Sequence, residues 1–473
     1  MERLAAPFFN NGIEDDRLWS VYRIEREALG RLDPPRITSR MGTTELFFDG
    51  VPIPGYASNP GFQRFTERVE SLSAADRRRQ VRFIREAFES RDSPTTRAQP
   101  AESDDDPDRE ATADGFEGRA AALVDRVYDA ASTTFGDPYG WMATRTSDDT
   151  AGVHLVPARE SLLAGRSGIA LAAAAVYRAT GTETYRERAL ETVRFEDDLA
   201  SIETNLHGAA GAVSAAYALC VLSDLLEADH LQSRAVDLAT SVPSLDGRDG
   251  TVGIETGVCG TTLALLSCYR RTGDTEIREL ALEYGECVHT AFDADDARSD
   301  NGCNTQLGFR VTDGVGYTLV ATGETLDKPW YVEEGTELLA GTWTTRHSAS
   351  RSPSRPTLAR CVAGQYNEEL AVDPSTVVGG SADLWEYDHL RRGNFGRVER
   401  LVEAARAGDR SPAPASTIAR RSLERASDGN GLVLPGHDPE FPNVTLHDGL
   451  SGIVYTILRV ARPEELPCVL AFE

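Results

Sequence analysis

The sequence predicts an all-α protein, an α/α toroid built as a double ring of seven helical hairpins, with a small mixed segment on its N-terminal side. Two observations predict this fold. A glycine turn followed by a helix recurs seven times, as Gly-x-x-Gly before an alanine- and leucine-rich helix in its clearest form, and several copies continue through a short turn into a second, polar helix. Copies spaced roughly 30 to 60 residues apart leave room for one hairpin each. A linear α-solenoid is the alternative, but solenoids rarely begin each inner helix with Gly-x-x-Gly.

The seven copies differ in how closely they follow the repeat pattern. The clearest read LLAGRSGIALAAAAVYRATGTETYRERAL, NLHGAAGAVSAAYALCVL and IETGVCGTTLALLSCYRRTGDTEIRELAL. The weaker ones read GFRVTDGVGYTLVATGETLDKPWYVEEGTELL, RCVAGQYNEELAV and RRGNFGRVERLVEAA, and the last is LHDGLSGIVYTILRVARPEELP. Two glycines three apart permit a tight turn into a helix. Alanine-rich faces favour close packing inside a ring, whereas apolar residues at i, i+3 and i+4 within polar stretches indicate outer helices.

The chain divides into three zones. Residues 1–87 contain short helical pieces, the strand-turn segment TTELFFDGVPIPGY, and a closing helix SAADRRRQVRFIREAF with Ser73 as its N-cap. Residues 88–117 are acidic, contain proline and have few large apolar side chains, which indicates a solvated linker. Residues 118–473 carry the repeat and form the predicted toroid.

The charge and lysine content of the chain limit the classes of partner that it is expected to bind. The net charge is −26, and Lys328 is the only lysine among the 49 basic residues, a balance that suggests a halophilic protein kept hydrated in high salt. Such an acidic surface repels phosphate backbones and anionic lipids, which argues against nucleic-acid or membrane partners. The sequence shows no signal peptide and no apolar run long enough to span a bilayer, so it predicts a soluble, cytoplasmic protein.

Seven cysteines without CxxC spacing are not a disulfide framework. Cys220, Cys268 and Cys287 lie in apolar helical runs and are predicted core residues. Cys259 belongs to a tight turn. Cys361 is predicted in a loop, where a thiol is open to functional use.

Two stretches carry a resemblance to a known family. AGRSGIALAAAAVYRATG and the C-terminal LHDGLSGIVYTILRVARPEELPCVLAFE resemble lanthionine synthetase C-like cyclase domains, above all those at the C-terminal end of class II lanthipeptide synthetases. YRIEREALGRLDPPRITSRMGTTELFFDG, followed by PGFQRFTERVESLSAADRRRQVRFIREAF, is similar to the last part of the dehydratase domain that precedes the cyclase there. The front of that dehydratase is missing, so we expect no dehydration of Ser or Thr by this chain.

The resemblance implies thioether chemistry on a precursor peptide. In the family, a zinc ion held by one cysteine of the fifth repeat and a Cys-His pair of the sixth binds a substrate cysteine and lowers its thiol pKa. The thiolate adds to a dehydroalanine or dehydrobutyrine of the same peptide. An Asp of the third repeat and a His of the fourth are the usual candidates for proton transfer.

This sequence matches that pattern at one position of five. Cys361 falls at the first zinc ligand, but Arg391 and Arg392 stand where the Cys-His pair belongs, Gly253 replaces the Asp and Val311 the His. Two guanidiniums about 4–5 Å from a divalent ion would each repel it by roughly 7–8 kcal/mol at an effective dielectric constant of 20. A full ligand set supplies on the order of 10–16 kcal/mol to a structural zinc site. Zinc is therefore expected by family but not at the family position here.

Other residues allow other interpretations. A rearranged zinc site would recruit His389, His447 or Cys303, although His389 is expected at the surface and His447 in a turn. Arg391, Arg392 and Arg397 make a positive patch near a helix N-terminus that could bind a carboxylate or an acidic leader peptide. The alternative is a solvated rim that balances local acidic charge.

Three functional hypotheses follow. The first is a cyclase-like protein whose chemistry is impaired, either as a degenerate enzyme or as a remnant of a longer synthetase. The second is a non-catalytic toroid that binds a precursor peptide, with a separate dehydratase as a possible partner. The third is an α/α-barrel glycosidase, which would need two carboxylates about 5–10 Å apart across the cavity. The turns offer only scattered acids such as Asp313 and Asp448, so the third hypothesis ranks last.

Overall fold

A computed structural model describes most of the repeat region and part of the N-terminal zone. The described residues are 36–48, 50–53, 59–70, 113–131, 139–146, 153–194, 207–243, 252–293, 305–306, 309–340, 356–378, 383–427, 431–435 and 443–473, with isolated residues between 26 and 81. The chain forms two compact units, Met1–Asp92 and Ser93–Glu473. No helix in these ranges is long and apolar enough to cross a bilayer.

The first unit contains a small antiparallel sheet and one helix. Strands β1 (Ile37–Ser39), β2 (Leu46–Phe48) and β3 (Val51–Ile53) pair in that order, which confirms the predicted strand-turn segment. Gly50, at φ +84°, supplies the left-handed backbone that the β2–β3 turn requires. Helix α1 (Gly61–Glu70) follows the sheet. The predicted closing helix after Ser73 lies mostly outside the described residues.

The second unit is built on seven inner helices, one from each copy of the repeat. They are numbered in chain order with the rest and are α3 (Arg166–Thr180), α5 (Val213–Leu226), α7 (Val258–Thr272), α9 (Val311–Leu326), α11 (Leu358–Ala363), α13 (Asn394–Ala407) and α15 (Leu450–Ala461). These helices are buried nearly all round, as their apolar sequences require. All seven predicted repeats therefore supply an inner helix.

The outer helices bury only one stripe each. They are α2 (Ala113–Asp129), α4 (Glu183–Thr192), α6 (Asp229–Thr240), α8 (Thr275–Asp293), α10 (Pro329–Ala340) and α14 (Ala413–Arg425). In the fifth hairpin the described outer elements are short, a 3₁₀ turn at Glu368–Leu370 and α12 (Pro374–Val378). Helix α2 packs on α15, so the seventh hairpin takes its outer helix from the segment that precedes the first repeat. That helix begins inside the expected linker of residues 88–117.

The inner helices close into a ring. Each packs against the next in chain order, and α15 packs back against α3. This closure distinguishes a toroid from an open solenoid, so the predicted α/α toroid is confirmed. Two short hairpins accompany the ring, β4 (Met142–Thr146) with β5 (Val153–Pro157) and β6 (Thr305–Gln306) with β7 (Phe309–Arg310).

The second glycine of four of the Gly-x-x-Gly turns allows a close approach of the backbone. A Cβ atom there would overlap the carbonyl oxygen of the residue six positions earlier, so only glycine fits. This holds for Gly168 against Leu162, Gly260 against Ile254, Gly396 against Leu390, and Gly452 against Leu446. The glycine is required by this contact rather than by a positive φ.

The turns that precede the inner helices gather at one end of the ring. The amide of His447 donates to the carbonyl of Leu163 (3.0 Å), and the amide of Ala209 to that of Ile254 (2.9 Å). At the same end, Thr357 donates a side-chain hydrogen bond to Asp313 (2.8 Å). We call this end the mouth.

Residues 468–473, here called the tail, enter the ring from the opposite end. The Phe472 ring packs on Tyr217 of α5, with 4.9 Å between centroids. Arg270 donates to the carbonyl of Phe472 (2.9 Å), and Tyr317 donates to that of Ala471 (2.8 Å). Residues 468–472 are almost wholly buried, so the tail fills the space between the inner helices at this end.

Candidate functional site at the mouth of the ring

Equivalent positions on three turns carry the charged groups of the mouth. Gly257, Gly393 and Gly449 are the N-cap residues of α7, α13 and α15. Two residues before these glycines stand Glu255, Arg391 and His447, respectively. Because the turns repeat the same geometry, these three side chains occupy corresponding places around one end of the ring.

Arg391 is bound to a carboxylate from the third repeat. Its Nη2 lies 3.0 Å from Oε1 of Glu255, and both side chains are about four-fifths buried. Helices α7 and α13 are three places apart in the seven-membered ring, so this ion pair spans the mouth. A charge-assisted bond in a partly buried place is stronger than an exposed one.

His389 and Asp448 make a close contact between neighbouring turns. Nδ1 of His389 lies 3.2 Å from Oδ1 of Asp448, with 5% and 13% of the side chains exposed. The two atoms are close enough for a hydrogen bond but are not aligned for one. Burial raises the pKa of Asp448, but the His389 imidazole and the Arg391 guanidinium outweigh it and lower the pKa to about 2. Asp448 is therefore an anion at neutral pH.

His447 is a buried, neutral imidazole beside these groups. Burial lowers its pKa to about 3; the Asp448 carboxylate opposes this shift, and the Arg391 and Arg392 guanidiniums add to it. Its Nε2 atom is buried and makes no hydrogen bond within the described residues. An unbonded buried nitrogen costs free energy, so it marks a place where a ligand or water is expected. His389 and His447 are both buried, and the prediction of a surface position for His389 is wrong.

Cys361 lies in α11, not in a loop as predicted, and it is fully buried. Burial raises the pKa of its thiol to about 12. The charged groups that act on it include Arg400 and Glu403, two turns or more into α13. Cys361 is therefore a protonated thiol deep between helices.

The residues at the family's zinc position do not fit a zinc ion. The cysteine is a neutral thiol inside a helix, and Arg391 is a cation already bound to Glu255. Gly253, at the family's Asp position, is buried in the turn before α7, and Val311, at the His position, begins α9. Cys303, the other candidate ligand, lies outside the described residues.

The three arginines of the predicted patch separate in the structure. Arg392 is exposed at the mouth. Arg397 is buried in α13, where its Nη1 donates to the carbonyl of Asp383 (3.0 Å) and its guanidinium lies over the Trp385 ring. A peptide in solution can reach Arg392, whereas Arg397 serves the packing of α13.

A second group of ionisable residues surrounds the tail. Glu399, Glu403 and Cys468 bring three potential metal-binding atoms within 4.8 Å of one another, in the part of the chain that the structure describes. The guanidinium of Arg459 donates to both carboxylates. A fixed cation thus occupies the place that a metal would take, so this group stabilises the tail.

Sequence reasoning missed Glu255 and the acidic group around the tail. Glu255 could have been found by aligning the repeats on the N-cap glycine, because it then falls opposite Arg391 in the same register. Glu399 and Glu403 lie four residues apart on α13 and read as a solvated helix face. Nothing in the local sequence shows that Arg459 of α15 pairs with them.

Comparison with known proteins finds a family similarity over part of the chain. Residues 156–309 match the family model described as lanthionine synthetase C-like protein. This part of the chain is lanthionine synthetase C-like. The match covers the first three hairpins and reaches the start of the fourth, and it confirms the predicted resemblance to lanthionine synthetase C-like proteins. Comparison with curated proteins finds no match.

Several solved structures are also similar to this chain, at low sequence identity. Nisin cyclase is 12% identical, with 66% of this chain and 80% of that chain covered and a TM-score of 0.36. An unsaturated glucuronyl hydrolase from Bacillus sp. GL1 is 16% identical over 74% and 97%, with a TM-score of 0.40. An α-1,6-mannanase from Salegentibacter sp. HEL1_6 is 11% identical over 74% and 99%, with a TM-score of 0.39. These TM-scores are too low to assign an activity.

Proposed function

We propose that this lanthionine synthetase C-like chain binds a precursor peptide at the mouth of its ring and has lost the zinc chemistry of the family. The observation that carries the proposal is the ion pair between Arg391 and Glu255. It binds the guanidinium that the predicted alignment puts at the family's zinc position. The buried thiol of Cys361 supports it, because a protonated cysteine is a poor metal ligand.

The mouth suits a peptide that carries carboxylates. Arg392 is exposed there in a protein whose net charge is −26, whereas the charge of the nearby Arg391 is balanced by Glu255. An acidic peptide would be repelled by most of the surface and attracted at the mouth.

Two measurements test this proposal. Elemental analysis of the folded protein, with Cys361→Ala as the control, should find no stoichiometric zinc in either. Fluorescence anisotropy with a labelled 20-residue acidic peptide should show binding that weakens in Arg392→Gln and persists in Arg178→Gln, an exposed arginine on α3. Stoichiometric zinc that disappears in Cys361→Ala would restore the zinc cyclase. A folded protein with neither zinc nor peptide affinity would favour a remnant of a longer synthetase.

Several finer predictions belong to the same proposal. They are the origin from a class II synthetase, a dehydratase-like segment at residues 1–87 with an acidic linker at 88–117, a separate dehydratase as partner, and a halophilic, cytoplasmic protein. The residue pattern and the charge of −26 support them. Stability of the purified protein measured against KCl concentration would test the halophilic character.

A further inference from the structure

A cavity of about 370 Å³ opens between outer helices α2 and α14, and the function proposed above does not use it. Helix α14 lines it with Ser416, Thr417 and Arg420, which lie within one turn on the same side of the helix. Phe116 of α2 and Val460 of α15 line it from the other sides. The cavity is therefore a gap between two outer helices, over the end of an inner one.

The cavity lies away from the mouth. Helix α15 begins at the mouth with Leu450, and Val460 stands ten residues further along it. A rise of 1.5 Å per residue puts Val460 about 15 Å from that end of the ring. Both α2 and α14 pack on α15, so this helix closes the inner side of the cavity. A ligand here would not meet the peptide proposed at the mouth.

Arg420 is a partly buried cation without a partner in the described chain. Its guanidinium makes no hydrogen bond and no ion pair with any residue that the structure describes. The other charged groups beside the cavity are bound elsewhere, since Arg462 lies 2.8 Å from Glu117 and Arg119 donates to Ser427 at 2.7 Å. A cation taken partly out of water without an opposite charge costs free energy. An anion in the cavity would offset that cost.

The rest of the lining suits an apolar group and a hydrogen-bond acceptor. Phe116 and Val460 are buried apolar side chains on the walls. The Thr417 hydroxyl is bonded within its own helix, whereas the Ser416 hydroxyl, one turn before Arg420, has no partner among the described residues. A hydroxyl and a guanidinium one turn apart can donate to the two oxygens of a carboxylate. Apolar walls with a few polar groups are typical of small-molecule sites.

We propose that this cavity binds a small aliphatic carboxylate, with its carboxylate at Arg420 and Ser416 and its hydrocarbon chain against Phe116 and Val460. One unpaired guanidinium matches one negative charge, whereas a phosphate monoester brings about −1.5 to −2. The net charge of −26 further disfavours polyanions. The volume lies near the lower end of the range for ligand sites, about 300–1,000 Å³, which favours a small ligand over a folded partner.

Such a ligand would join two parts of the chain that are distant in sequence. Helix α2 precedes the first repeat, and α14 belongs to the sixth hairpin, yet both pack on α15. A ligand that binds only the folded protein stabilises it increasingly as its concentration rises above the Kd. The midpoint of thermal unfolding should therefore rise with the concentration of a suitable carboxylate.

The test uses sodium octanoate as the probe, with the full-length protein at pH 7.5 and a fixed KCl concentration that preserves the fold. Isothermal titration calorimetry should show saturable binding of one octanoate per chain. Arg420→Gln should weaken that binding by about 10- to 100-fold, the size expected when a hydrogen bond to a charged group is lost. Octanol, which lacks the charge, should bind wild-type protein about tenfold more weakly. Arg178→Gln, an exposed arginine on α3, is the matched control and should leave the affinity unchanged.

A second variant tests the cavity without removing the cation. Ala413 lines the cavity from the first turn of α14 and is exposed, so Ala413→Trp should cover the opening and leave the fold intact. Octanoate binding should be lost in this variant. Binding of the acidic peptide at the mouth should be the same in Arg420→Gln as in wild type, which separates the two sites.

Four outcomes would overturn the inference. They are octanoate binding that does not saturate, an octanoate affinity unchanged in either variant, octanol that binds as tightly as octanoate, and acidic-peptide binding that falls in Arg420→Gln. The first three would leave the function proposed for the mouth intact, because none of them involves Arg392.

Discussion

The ion pair between Arg391 and Glu255 changes which ligands the mouth can bind. In the predicted alignment Arg391 stands where the family has a zinc ligand, and Glu255 lies two residues after Gly253, which stands where the family has an aspartate. Once they are bound to each other, the mouth has a permanent ion pair in place of a site for a cation.

We expect Glu255→Gln to destabilise the protein by about 2 kcal/mol, because it removes a charge-assisted hydrogen bond from a largely buried guanidinium. Urea unfolding at fixed salt would measure the change. Glu227→Gln is the matched control, since Glu227 is highly exposed and lies 3.8 Å from Arg178. That control should change stability by less than about 0.5 kcal/mol. Equal effects in the two variants would mean that the pair does not hold the mouth together.

Burial predicts that Cys361 is chemically inert in the folded protein. Its pKa is raised to about 12, so the reactive thiolate is scarce at pH 8. Iodoacetamide labelling followed by peptide mapping should modify Cys287, which is partly exposed on α8, well before Cys361. Faster labelling of Cys361 would instead show that its thiol faces the mouth.

The inner helices depend on their second glycines. We expect Gly452→Ala to cost about 3 kcal/mol of unfolding free energy, because the new methyl group meets the backbone carbonyl of Leu446, which has no room to move. Gly118→Ala on outer helix α2 is the matched substitution, since nothing lies near its Cβ position. It should be neutral or stabilise the protein by up to about 1 kcal/mol. Thermal unfolding of both variants would check this contrast.

The inner helices were predictable because each one carries its own local signal. The glycine spacing and the apolar, alanine-rich run that follows it are contiguous in sequence, so they can be read without knowing the neighbours. The outer helix of the seventh hairpin could not be predicted this way, since α2 precedes the first repeat. The short outer elements after α11 were not predicted either, because the copy of the repeat around Cys361 follows the pattern only weakly.

The candidate site was predictable in its cations and not in its anions. Arg391 and Arg392 stand out beside a glycine turn, but their partner Glu255 comes from a turn three places away around the ring. Burial of His389 likewise depends on the turn before α15, which lies over it. Contacts between turns that are distant in sequence decide both cases, and no local pattern records them.

The charge balance of the tail makes stability depend on pH. Glu399, Glu403 and Glu473 face Arg459 and Arg406, with the amide of Gln365 and the thiol of Cys468 also near. Three carboxylates thus meet two guanidiniums in a buried place. Burial raises the pKa of Glu403 to about 7. The folded state therefore holds a proton that the unfolded chain releases at lower pH.

Because the folded pKa is raised, this contribution to stability is complete at acidic pH and is lost as the pH rises through 7. Between pH 6 and 8.5 the loss should be about 1 kcal/mol. Glu403→Gln should remove that pH dependence, and urea unfolding of both proteins at the two pH values would measure it. The same slope in wild type and variant would assign the dependence to other groups.

The tail also decides how anything can move through the ring. Because Phe472 and its neighbours fill one end, a polypeptide cannot pass from one face of the toroid to the other. A peptide that binds Arg392 at the mouth has to leave through the same opening, and the rest of its chain stays outside the ring. A peptide bound at the mouth, as proposed, would be held one segment at a time and would not be threaded through the ring.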